Sequence, residues 1–487
     1  MEKLSTRLLS LTLALIMIVS LCACGSSTEV SSTTQDAAEE TKPETTKQEE
    51  VAASEESDEV IELVIWTHES SEQRMNAWNR VIELFEAENP NISIQNELVL
   101  WEDSQSKMLS AINSNTMPDM NMVSDTTWAS AYLAGGLANV DGAIENIDTA
   151  YGYMDGCLSS FYADGHYWAA PVDSICYSLF YHPSMLEAAG WQEPPATWEE
   201  LLQCAEDCTV DTDGDGNIDV YGICVTAGRD ALATDTFGAF LSMSDTDLFA
   251  EDGAIAFDNE KTVKAMSFYK DLYQFAPPAA SNWSWGEVES NWAAGTFAMA
   301  FYHAPNLAAF FENGNHDIAT TVLPAENANA KSATTSFNHA IAVTTGAVEN
   351  GHYDACTAFI EFCQKPEISW ILTVCQEPGF YMPTTEAAAQ LIEESYFDEE
   401  SFPLKNFDGS DGSTDREILD NFLNVAMESL KSANAIGNKY GAVNLNLAEI
   451  YNSYVISDMM QKVLLDGEDV QTAVSWAQGR MEEINGQ

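Results

Sequence analysis

The sequence predicts an α/β protein of two lobes. From residue 60 onward, short runs of β-branched and aliphatic residues alternate with segments whose apolar residues recur every three or four positions, as in alternating strands and helices. The segment from Val60 to Gln487 is longer than the size at which one hydrophobic core usually keeps growing, which favours two lobes. Polar and aromatic residues follow the first three predicted strands, where open α/β sheets bind ligands.

The chain begins with a predicted export signal at residues 1–23. Lys3 and Arg7 precede an apolar stretch that runs from Leu8 to Leu21 and is too short to span a bilayer comfortably. The stretch ends in a motif that resembles the lipobox of bacterial lipoproteins, which implies that Cys24 is diacylated and becomes the new N-terminus. The alternative is ordinary secretory cleavage, which would leave Cys24 as a free thiol. No later segment is long and apolar enough to span a bilayer, so the lipid would be the only membrane attachment.

Residues 24–59 are predicted to form a disordered acidic tether. They are rich in Ser, Thr, Glu and Ala, contain no aromatic residue and a single Pro, and cannot bury enough apolar surface to fold. The whole sequence has 19 Lys and Arg residues against 77 Asp and Glu residues, a formal net charge of −58. Such a charge argues against a nucleic acid or an anionic lipid surface as a partner of the folded part, and it favours solubility.

The first elements of the folded part are predicted in the order β-α-β-α-β. The first helix is capped by Ser71 and ends at Asn89-Pro90. Its apolar face consists of Met75, Trp78, Ile82 and Phe85. The three strands are predicted at Ile61–Ile65, Ile92–Leu100 and Met120–Val123. The loops after them, which we expect to form the wall of a cleft, are Trp66-Thr67-His68-Glu69, Trp101-Glu102-Asp103 and Ser124-Asp125.

A series of short motifs extends from Val60 to about Pro383. The motifs are Val64-Ile65-Trp66, Leu84 to Ile92, Met117-Pro118-Asp119-Met120, Ala134-Gly135-Gly136-Leu137, Asp164 to Asp173, Tyr181-His182-Pro183, Ala189-Gly190-Trp191, Pro194 to Leu201, Ala294 to Met299 and Gly379 to Pro383. Thr197 and Glu200 are predicted to form a helix capping box. The order of these motifs resembles the extracellular solute-binding proteins of bacterial ABC importers, in the large family (family 1) typified by maltodextrin-binding protein.

The resemblance implies a two-lobed periplasmic-binding-protein-like fold with a hinge and a central ligand cleft. The first lobe would comprise residues 60–173 and 325–380, and the second would comprise residues 174–324 and 381–487. A monomeric receptor, lipid-anchored on the extracellular face of the cell membrane, would close around a sugar or short oligosaccharide and deliver it to the membrane subunits of the permease. Such a receptor is not an enzyme and requires no cofactor.

A carbohydrate ligand needs aromatic rings for its C–H faces and polar side chains for its hydroxyl groups. The aromatic candidates, which lie in predicted loops or at strand ends, are Trp66, Trp101, Trp168, Trp283 and Trp285. The polar candidates are His68, Glu69, Asp103, Asp125 and Asp173. The family resemblance adds Tyr302, Asn338 and Tyr381. Core packing is the alternative for each Trp, and a helix cap or a solvated loop is the alternative for each carboxylate.

An acidic segment resembles the first part of an EF-hand calcium loop. Its candidate oxygen ligands are Asp211, Asp213, Asp215, Asn217 and Asp219. The twelfth position holds Gly222, where a Glu is expected. The sequence therefore leaves two interpretations open, a structural calcium site or an acidic turn rich in glycine. The seven His residues are scattered, which argues against a catalytic metal.

The cysteines after the export signal are irregularly spaced and predict no disulfide framework. Cys204 and Cys208 lie on one face of a predicted helix, where their side chains stack without the geometry of an S–S bond. They are interpreted as small buried hydrophobic residues. One disulfide among Cys356, Cys363 and Cys375 stays open, because sequence cannot assign it.

Other functions are compatible with the same composition. A secreted glycosidase also combines acidic pairs with an aromatic cleft. A surface adhesin or a sensor subunit would use the same lobes without supporting uptake. Within the receptor class, the scarcity of Lys and Arg disfavours an anionic solute. A cationic solute such as a polyamine is the alternative to a sugar, because aromatic and carboxylate groups also suit ammonium.

Overall fold

The computed structural model describes residues 60–486 except 70, 155, 306, 308, 309, 311–313, 378, 396–412 and 442. The predicted export signal (1–23), the predicted lipidation site Cys24 and the predicted tether (24–59) lie outside the described residues. None of the helices in the described part of the chain has the length and apolar character needed to cross a membrane.

The strands of the described residues form a seven-stranded sheet, a four-stranded sheet and a two-stranded hairpin. We call the seven-stranded sheet sheet 1 and the four-stranded sheet sheet 2. The strands are β1 (Ile61–Thr67), β2 (Ile92–Leu98), β3 (Met120–Ser124), β4 (Leu137–Ala138), β5 (Tyr162–Ala163), β6 (His166–Tyr167), β7 (Ala170–Cys176), β8 (Ser178–Tyr181), β9 (Tyr221–Cys224), β10 (Phe297–Tyr302), β11 (Ala319–Thr321), β12 (Thr334–Thr344) and β13 (Ala433–Ala435).

Helices occupy most of the chain between these strands. They are α1 (Glu72–Glu88), α2 (Trp101–Ser114), α3 (Trp128–Leu133), α4 (Asp141–Tyr151), α5 (Pro183–Ala188), α6 (Trp198–Asp207), α7 (Ala231–Met243), α8 (Glu260–Tyr273), α9 (Trp285–Ala293), α10 (Thr345–Asn350), α11 (Tyr353–Cys363), α12 (Pro366–Leu372), α13 (Glu386–Ser395), α14 (Ser413–Leu430), α15 (Leu447–Asn452), α16 (Val455–Leu464) and α17 (Val470–Asn485). Apolar side chains from helices and strands form separate buried clusters around the two larger sheets.

Sheet 1 brings the carboxyl ends of three strands to one edge. β2 and β3 flank β1 and run parallel to it, with Ile94 opposite Leu63 and Met120 opposite Ile65. β12 runs antiparallel to both β3 and β7, and His339 of β12 lies opposite Ser124 on one side and Asp173 on the other. The residues that follow β1, β2 and β3 therefore lie beside the middle of β12.

The chain first crosses from sheet 1 to sheet 2 through a single residue. Tyr177 separates β7 of sheet 1 from β8 of sheet 2 and is fully buried. The chain returns to sheet 1 between β11 and β12. β13 pairs in parallel with β12, so a segment from the predicted second lobe adds a strand to sheet 1. The exact limits of the two lobes stay a prediction.

The predicted helix and strand order of the first segment is confirmed, with two corrections. Ser71 caps α1 by accepting a hydrogen bond from the Arg74 backbone, and the chain leaves the helix at Asn89. Trp66 is a residue of β1 and is buried, because the strand continues to Thr67. Trp101 begins α2 instead of forming a loop, since helix-compatible residues follow it without a break.

The predicted capping box at the start of α6 is confirmed and supplies a stability test. Thr197 Oγ1 accepts a hydrogen bond from the Glu200 backbone at 3.3 Å, and Glu200 Oε2 accepts one from the Thr197 backbone at 3.1 Å. We expect Thr197→Ala to lower the free energy of unfolding by about 1 kcal/mol, measured by urea unfolding. Thr197→Ser is the control, because it keeps the hydroxyl. Equal losses in both variants would contradict the capping role.

The eight cysteines from Cys157 onward form no disulfide with one another, and seven of them are buried. Cys204 and Cys208 follow the prediction of buried, unbridged residues. The sequence allows one disulfide among Cys356, Cys363 and Cys375, but the structure shows no disulfide among them. The described part of the chain therefore depends on packing and hydrogen bonding, without a covalent crosslink among these residues.

Candidate functional site

His68 connects the ends of the first three strands. Its Nδ1 lies 2.6 Å from the Val99 carbonyl oxygen after β2, and its Nε2 lies 2.7 Å from the Met122 carbonyl oxygen on β3. Burial lowers the pKa of His68. A neutral ring, however, would place a nitrogen lone pair against one of the carbonyl oxygens, so these two short contacts indicate the doubly protonated ring. The centroid of the Trp101 ring lies 4.1 Å from that of His68.

Arg74 joins two buried carboxylates and two aromatic rings. Its Nε donates to Glu377 Oε2 at 2.7 Å, and its guanidinium also donates to Glu69 Oε2 at 3.2 Å. The guanidinium carbon lies 4.5 Å from the centroid of the Phe380 ring. Tyr381 donates its hydroxyl proton to Glu69 Oε2 at 2.6 Å. Burial raises the pKa of Glu377, and the charge of Arg74 opposes that rise. The second carboxylate oxygens of Glu69 and Glu377 are buried without a hydrogen-bond partner.

A second ion pair lies across the β7–β12 ladder. His339 Nδ1 is 2.9 Å from Asp173 Oδ1, and both side chains are buried. Burial lowers the pKa of His339, but the nearby carboxylates, Asp173 first among them, outweigh burial and raise it overall. Burial raises the pKa of Asp173, and the charge of His339 opposes that rise. The Trp101 ring stacks on His339 with 4.9 Å between centroids, so this indole lies between two imidazoles.

Asp125 and Asp235 are buried carboxylates that make no ion pair with a described cation, although the charge of His339 stabilises Asp125 from a distance. Asp125 Oδ2 accepts from the backbone of Asn338 at 2.9 Å and from its side chain at 3.3 Å, while Oδ1 is buried without a partner. Burial raises the pKa of Asp125 to about 7. Asp235 of α7 accepts a hydrogen bond from the Tyr451 hydroxyl at 2.6 Å. Burial also raises the pKa of Asp235, and the charge of Asp125 raises it further.

Glu289 supplies another carboxylate from the side of sheet 2. Its Oε1 accepts a hydrogen bond from the Tyr302 hydroxyl at 3.2 Å, and this hydroxyl also lies 3.5 Å from the Trp285 carbonyl oxygen. Burial raises the pKa of Glu289 to about 7, with a further rise from Glu377. Burial and the charge of Arg74 lower the pKa of the neighbouring His303 to about 3, so this ring is neutral at physiological pH.

These groups form one network that spans both larger sheets. We define the buried charge network as Glu69, Arg74, Asp125, Asp173, Asp235, Glu289, His339 and Glu377. The electrostatic links from Asp125 to Asp235 and from Glu377 to Glu289 join residues next to sheet 1 with residues next to sheet 2. The network is rich in hydrogen-bond acceptors. The half-buried Trp101 ring adds an aromatic surface beside it. The network can therefore bind a small molecule that is rich in hydrogen-bond donors.

The structure brings many of the predicted site residues into or beside this network. They are His68, Glu69, Trp101, Asp125, Asp173, Tyr302, Asn338 and Tyr381. Several of these residues lie at the edge of sheet 1 where β1, β2 and β3 end. Others lie on β12 or in the segment around Tyr381. Trp285 lies at the border of the network, where its carbonyl oxygen approaches the Tyr302 hydroxyl.

Four predicted residues have their contacts elsewhere. Trp66 donates its indole proton to Glu97 of β2 at 3.0 Å and packs under Lys107. Asp103 is exposed on the first turn of α2. Trp168 donates to the Ala163 carbonyl at 3.0 Å next to the β5–β6 hairpin. The fourth, Trp283, packs on the Phe297 ring, with 6.3 Å between centroids.

Five members of the network were not predicted from the sequence. They are Arg74, Asp235, Glu289, His339 and Glu377. Two of them had a usable signal, because His339 follows the predicted Asn338 and Glu377 lies just before the motif that begins at Gly379. Arg74 and Glu289 lie inside helices, where a charged residue is ordinarily solvated, and their local sequence offers no comparable signal. Asp235 is the one charged residue of the apolar helix α7, which is a local signal of burial but not of its partners.

The acidic segment after α6 groups only part of its predicted ligands. Carboxylate oxygens of Asp211, Asp213 and Asp215 lie within 4.8 Å of one another, and within the described ranges they are the one such group of three acidic, His or Cys residues. Asp219 Oδ2 instead accepts from the Thr212 backbone at 2.8 Å, and the Asn217 amide donates to Asp215. A side chain at position 222 would meet the backbone of α6, which excludes a Glu there.

Residues 69–369 match the protein family described as bacterial extracellular solute-binding protein. The chain is 23% identical over 426 residues to the putative ABC transporter periplasmic-binding protein YcjN of Escherichia coli, and the match covers 86% of this chain and 91% of the relative. The match therefore extends over nearly the whole folded part.

Solved structures of solute-binding proteins share the fold. One is an ABC transporter solute-binding protein from Thermotoga lettingae bound with α-D-tagatose, with a TM-score of 0.67, 22% identity and coverage of 88% of this chain and 100% of that chain. Another is the sugar-binding protein MalE of Xanthomonas citri, with a TM-score of 0.68, 18% identity and coverage of 87% and 97%. The fold is that of the two-lobed periplasmic solute-binding proteins.

Proposed function

The chain belongs to the family of bacterial extracellular solute-binding proteins, and we propose that it captures a sugar or short oligosaccharide and delivers it to the permease of an ABC importer. The family consists of carriers, so the glycosidase alternative is wrong. The observation that carries the proposal is the buried charge network, which contains buried carboxylate oxygens without a hydrogen-bond partner and includes His339, on which the Trp101 ring stacks.

The chemistry of the network suits a polyhydroxylated ligand. Each sugar hydroxyl can donate to a carboxylate oxygen, and Glu69, Asp125 and Glu377 each have an oxygen that is buried without a hydrogen-bond partner. A buried polar atom without a partner is destabilising, so a donor from the ligand would bind there with a substantial gain in free energy. The part of the half-buried Trp101 indole that His68 and His339 do not cover can pack against the C–H face of a sugar ring.

The N-terminal segment is proposed to attach the protein to the cell membrane. Cys24 is proposed to carry the lipid, and this lipid is proposed as the only contact with the membrane. The tether at 24–59 would let a monomeric receptor move over the extracellular surface and reach the permease. Mass spectrometry of the protein from intact cells tests the lipid, because a diacylated Cys24 replaces the export signal as the N-terminus.

Thermal unfolding in the presence of candidate ligands tests sugar binding. A ligand at 100 times its dissociation constant should add about 2.7 kcal/mol to the free energy of unfolding, which appears as a clear rise in Tm. We expect Trp101→Ala to weaken the binding of the stabilising sugar about tenfold or more, because the half-buried Trp101 ring stacks on His339 of the network. Trp168→Ala is the matched control, because that indole packs next to the hairpin.

The opposite pattern, with binding lost in Trp168→Ala and kept in Trp101→Ala, would refute the assignment of the site. Failure of every sugar to stabilise the wild-type protein would refute the sugar class. Deletion of the gene separates an importer subunit from an adhesin or a sensor, because only the importer subunit is needed for uptake of the same sugar.

The acidic segment is proposed as a calcium site of structural character, supported by the grouping of Asp211, Asp213 and Asp215. We expect millimolar Ca²⁺ to raise the Tm of the wild-type protein, whereas Mg²⁺, which demands a smaller octahedral site, should raise it less. Asp213→Asn combined with Asp215→Asn should abolish the calcium effect. Equal Tm values with and without Ca²⁺ would leave the acidic turn as the correct interpretation.

A further inference from the structure

The buried charge network contains more carboxylates than cations. Arg74 pairs with Glu69 and Glu377, and His339 pairs with Asp173. The remaining carboxylates are Asp125, Asp235 and Glu289, and none of them is in an ion pair with a described Lys, Arg or His residue. Burying a charge without a partner is strongly unfavourable, and burial accordingly raises the pKa of all three carboxylates. A positive group from a ligand would stabilise their charged forms.

Asp125 and Asp235 approach one another from different parts of the fold. Asp125 follows β3 of sheet 1, and Asp235 lies on α7; they are 5% and 7% exposed. The charge of Asp125 raises the pKa of Asp235, and both charges raise the pKa of the Tyr451 hydroxyl, which donates a hydrogen bond to Asp235. The backbone and side-chain amides of Asn338 donate hydrogen bonds to Asp125 Oδ2. Asp125 Oδ1 therefore remains available to accept a hydrogen bond from a ligand.

A divalent metal ion fits this pair poorly. Within the part of the chain that the structure describes, the acidic loop that begins at Asp211 is the one place where three acidic, His or Cys ligand atoms come within 4.8 Å of one another. Asp125 and Asp235 therefore lack the third protein ligand that a metal centre usually has. An ammonium group needs fewer ligands, because its N–H donors can be shared between two carboxylates and a phenol.

We propose that the captured solute is an amino sugar or an amino-oligosaccharide whose protonated amine binds between Asp125 and Asp235. This inference rests on the proposed function and narrows the ligand class of the same site. The sugar hydroxyls extend from this point toward neighbouring acceptors. Asp125 also lines a narrow pocket with Trp128, Ser160 and Asn438, and the side-chain oxygen of Asn438 is buried without a partner.

A neutral sugar is a weaker match to the pair. A hydroxyl group can donate one hydrogen bond, but it leaves the charges of Asp125 and Asp235 uncompensated. An ammonium group offers both the hydrogen bonds and the compensating charge, and the Tyr451 ring adds an aromatic surface nearby. Hydrogen bonds that involve a charged group are stronger by an amount that corresponds to about tenfold or more in affinity.

Matched sugars test the inference on the purified full-length protein in mild detergent. Calorimetric titration at neutral pH compares glucosamine, galactosamine and their oligomers with the N-acetylated and hydroxyl forms of the same sugars. We expect an amino form to bind at least about tenfold more tightly than its two neutral twins. Spermidine is included as an amine without sugar hydroxyls. The N-acetylated and hydroxyl forms have the same sugar ring and the same number of units as the amino form. The difference in affinity therefore reports the effect of the charged amine.

Variants locate the amine. Asp125→Asn and Asp235→Asn should each abolish the preference for the amino form, and Asp103→Asn is the control because Asp103 is exposed and outside the network. Thermal unfolding establishes that each variant is folded. Neutralising a surplus buried carboxylate should leave the ligand-free protein at least as stable as the wild type, so either variant can report on binding.

The outcomes separate this inference from the proposed function. If neutral sugars bind as tightly as their amino forms, or if the preference survives in both Asp→Asn variants, the amine inference is wrong and sugar capture stands. If spermidine binds and no sugar does, the sugar function is wrong and the amine site stands. If neither sugars nor spermidine bind, both are wrong.

Discussion

Replacing Arg74 by Met is expected to lower the free energy of unfolding by about 3–5 kcal/mol. The substitution removes the cation that hydrogen-bonds with Glu69 and Glu377 and leaves two buried carboxylates close together without compensation. Each of them already has one oxygen without a partner. The guanidinium also packs over the Phe380 ring, a contact that Met replaces only in part.

Urea unfolding measures the loss, and a neighbouring arginine provides the control. Arg80 lies on the same helix and pairs with Glu83, but both side chains are mostly exposed, so Arg80→Met should change stability little. Adding Glu377→Gln to Arg74→Met should recover part of the loss, because it removes one of the two uncompensated charges. Similar losses in the Arg74 and Arg80 variants, or no recovery in the double variant, would show that Arg74 does not stabilise the network.

Asp125 and Glu289 are expected to make the ligand-free protein less stable as the pH rises from about 4 to about 7. Burial raises the pKa of Asp125 and of Glu289 to about 7, well above their values in an unfolded chain. Between the unfolded and the folded pKa, the folded state binds more protons than the unfolded state. The stabilisation that a protonated carboxyl group provides is therefore complete below the unfolded pKa, and it is lost as the pH rises through the folded pKa. One pKa unit corresponds to about 1.4 kcal/mol, so the contribution of Asp125 alone is on the order of 4 kcal/mol.

Unfolding measurements at pH 4.5 and pH 7.5 test this dependence. Because other groups also titrate, the informative quantity is the difference between wild type and Asp125→Asn. The variant should be more stable than the wild type at pH 7.5, and this advantage should shrink at pH 4.5, where Asp125 is protonated. Asp103→Asn should show no such difference, because that side chain is exposed. An Asp125→Asn variant that is less stable at the higher pH would contradict the raised pKa.

The part of the site that lies next to strand ends could be predicted from the sequence. Glu69, Trp101 and Asp125 follow β1, β2 and β3, and the strand pattern that locates them is local. The carboxyl ends of parallel neighbours meet at one edge, so the pattern also predicts that these residues come together. The error at Trp66 is of the same local kind, because the strand continues by two residues and turns this indole toward Glu97.

Residues that helices contribute from distant segments could not be predicted. Glu289 looks like an ordinary surface residue in its helix, and the packing of that helix against the rest of the fold partly buries it. Asp235 is the one charged residue of the apolar helix α7, so its burial had a local signal, but its partners come from distant segments. His339 depends on the register of β12, which shifts between His339 and Ala340. Such a shift depends on which strands pair, and pairing is a property of the whole sheet rather than of the local sequence.

The free cysteines have a consequence for how an exported chain survives oxidation. Disulfide formation proceeds through a thiolate, and burial raises the pKa of Cys176 and of Cys375 to about 12. At neutral pH these thiols are almost entirely protonated in the folded chain, and Cys176 is also shielded from small oxidants. Wrong disulfides can therefore form mainly in the interval between translocation and folding. Rapid folding, rather than a set of correct disulfides, would protect these two thiols.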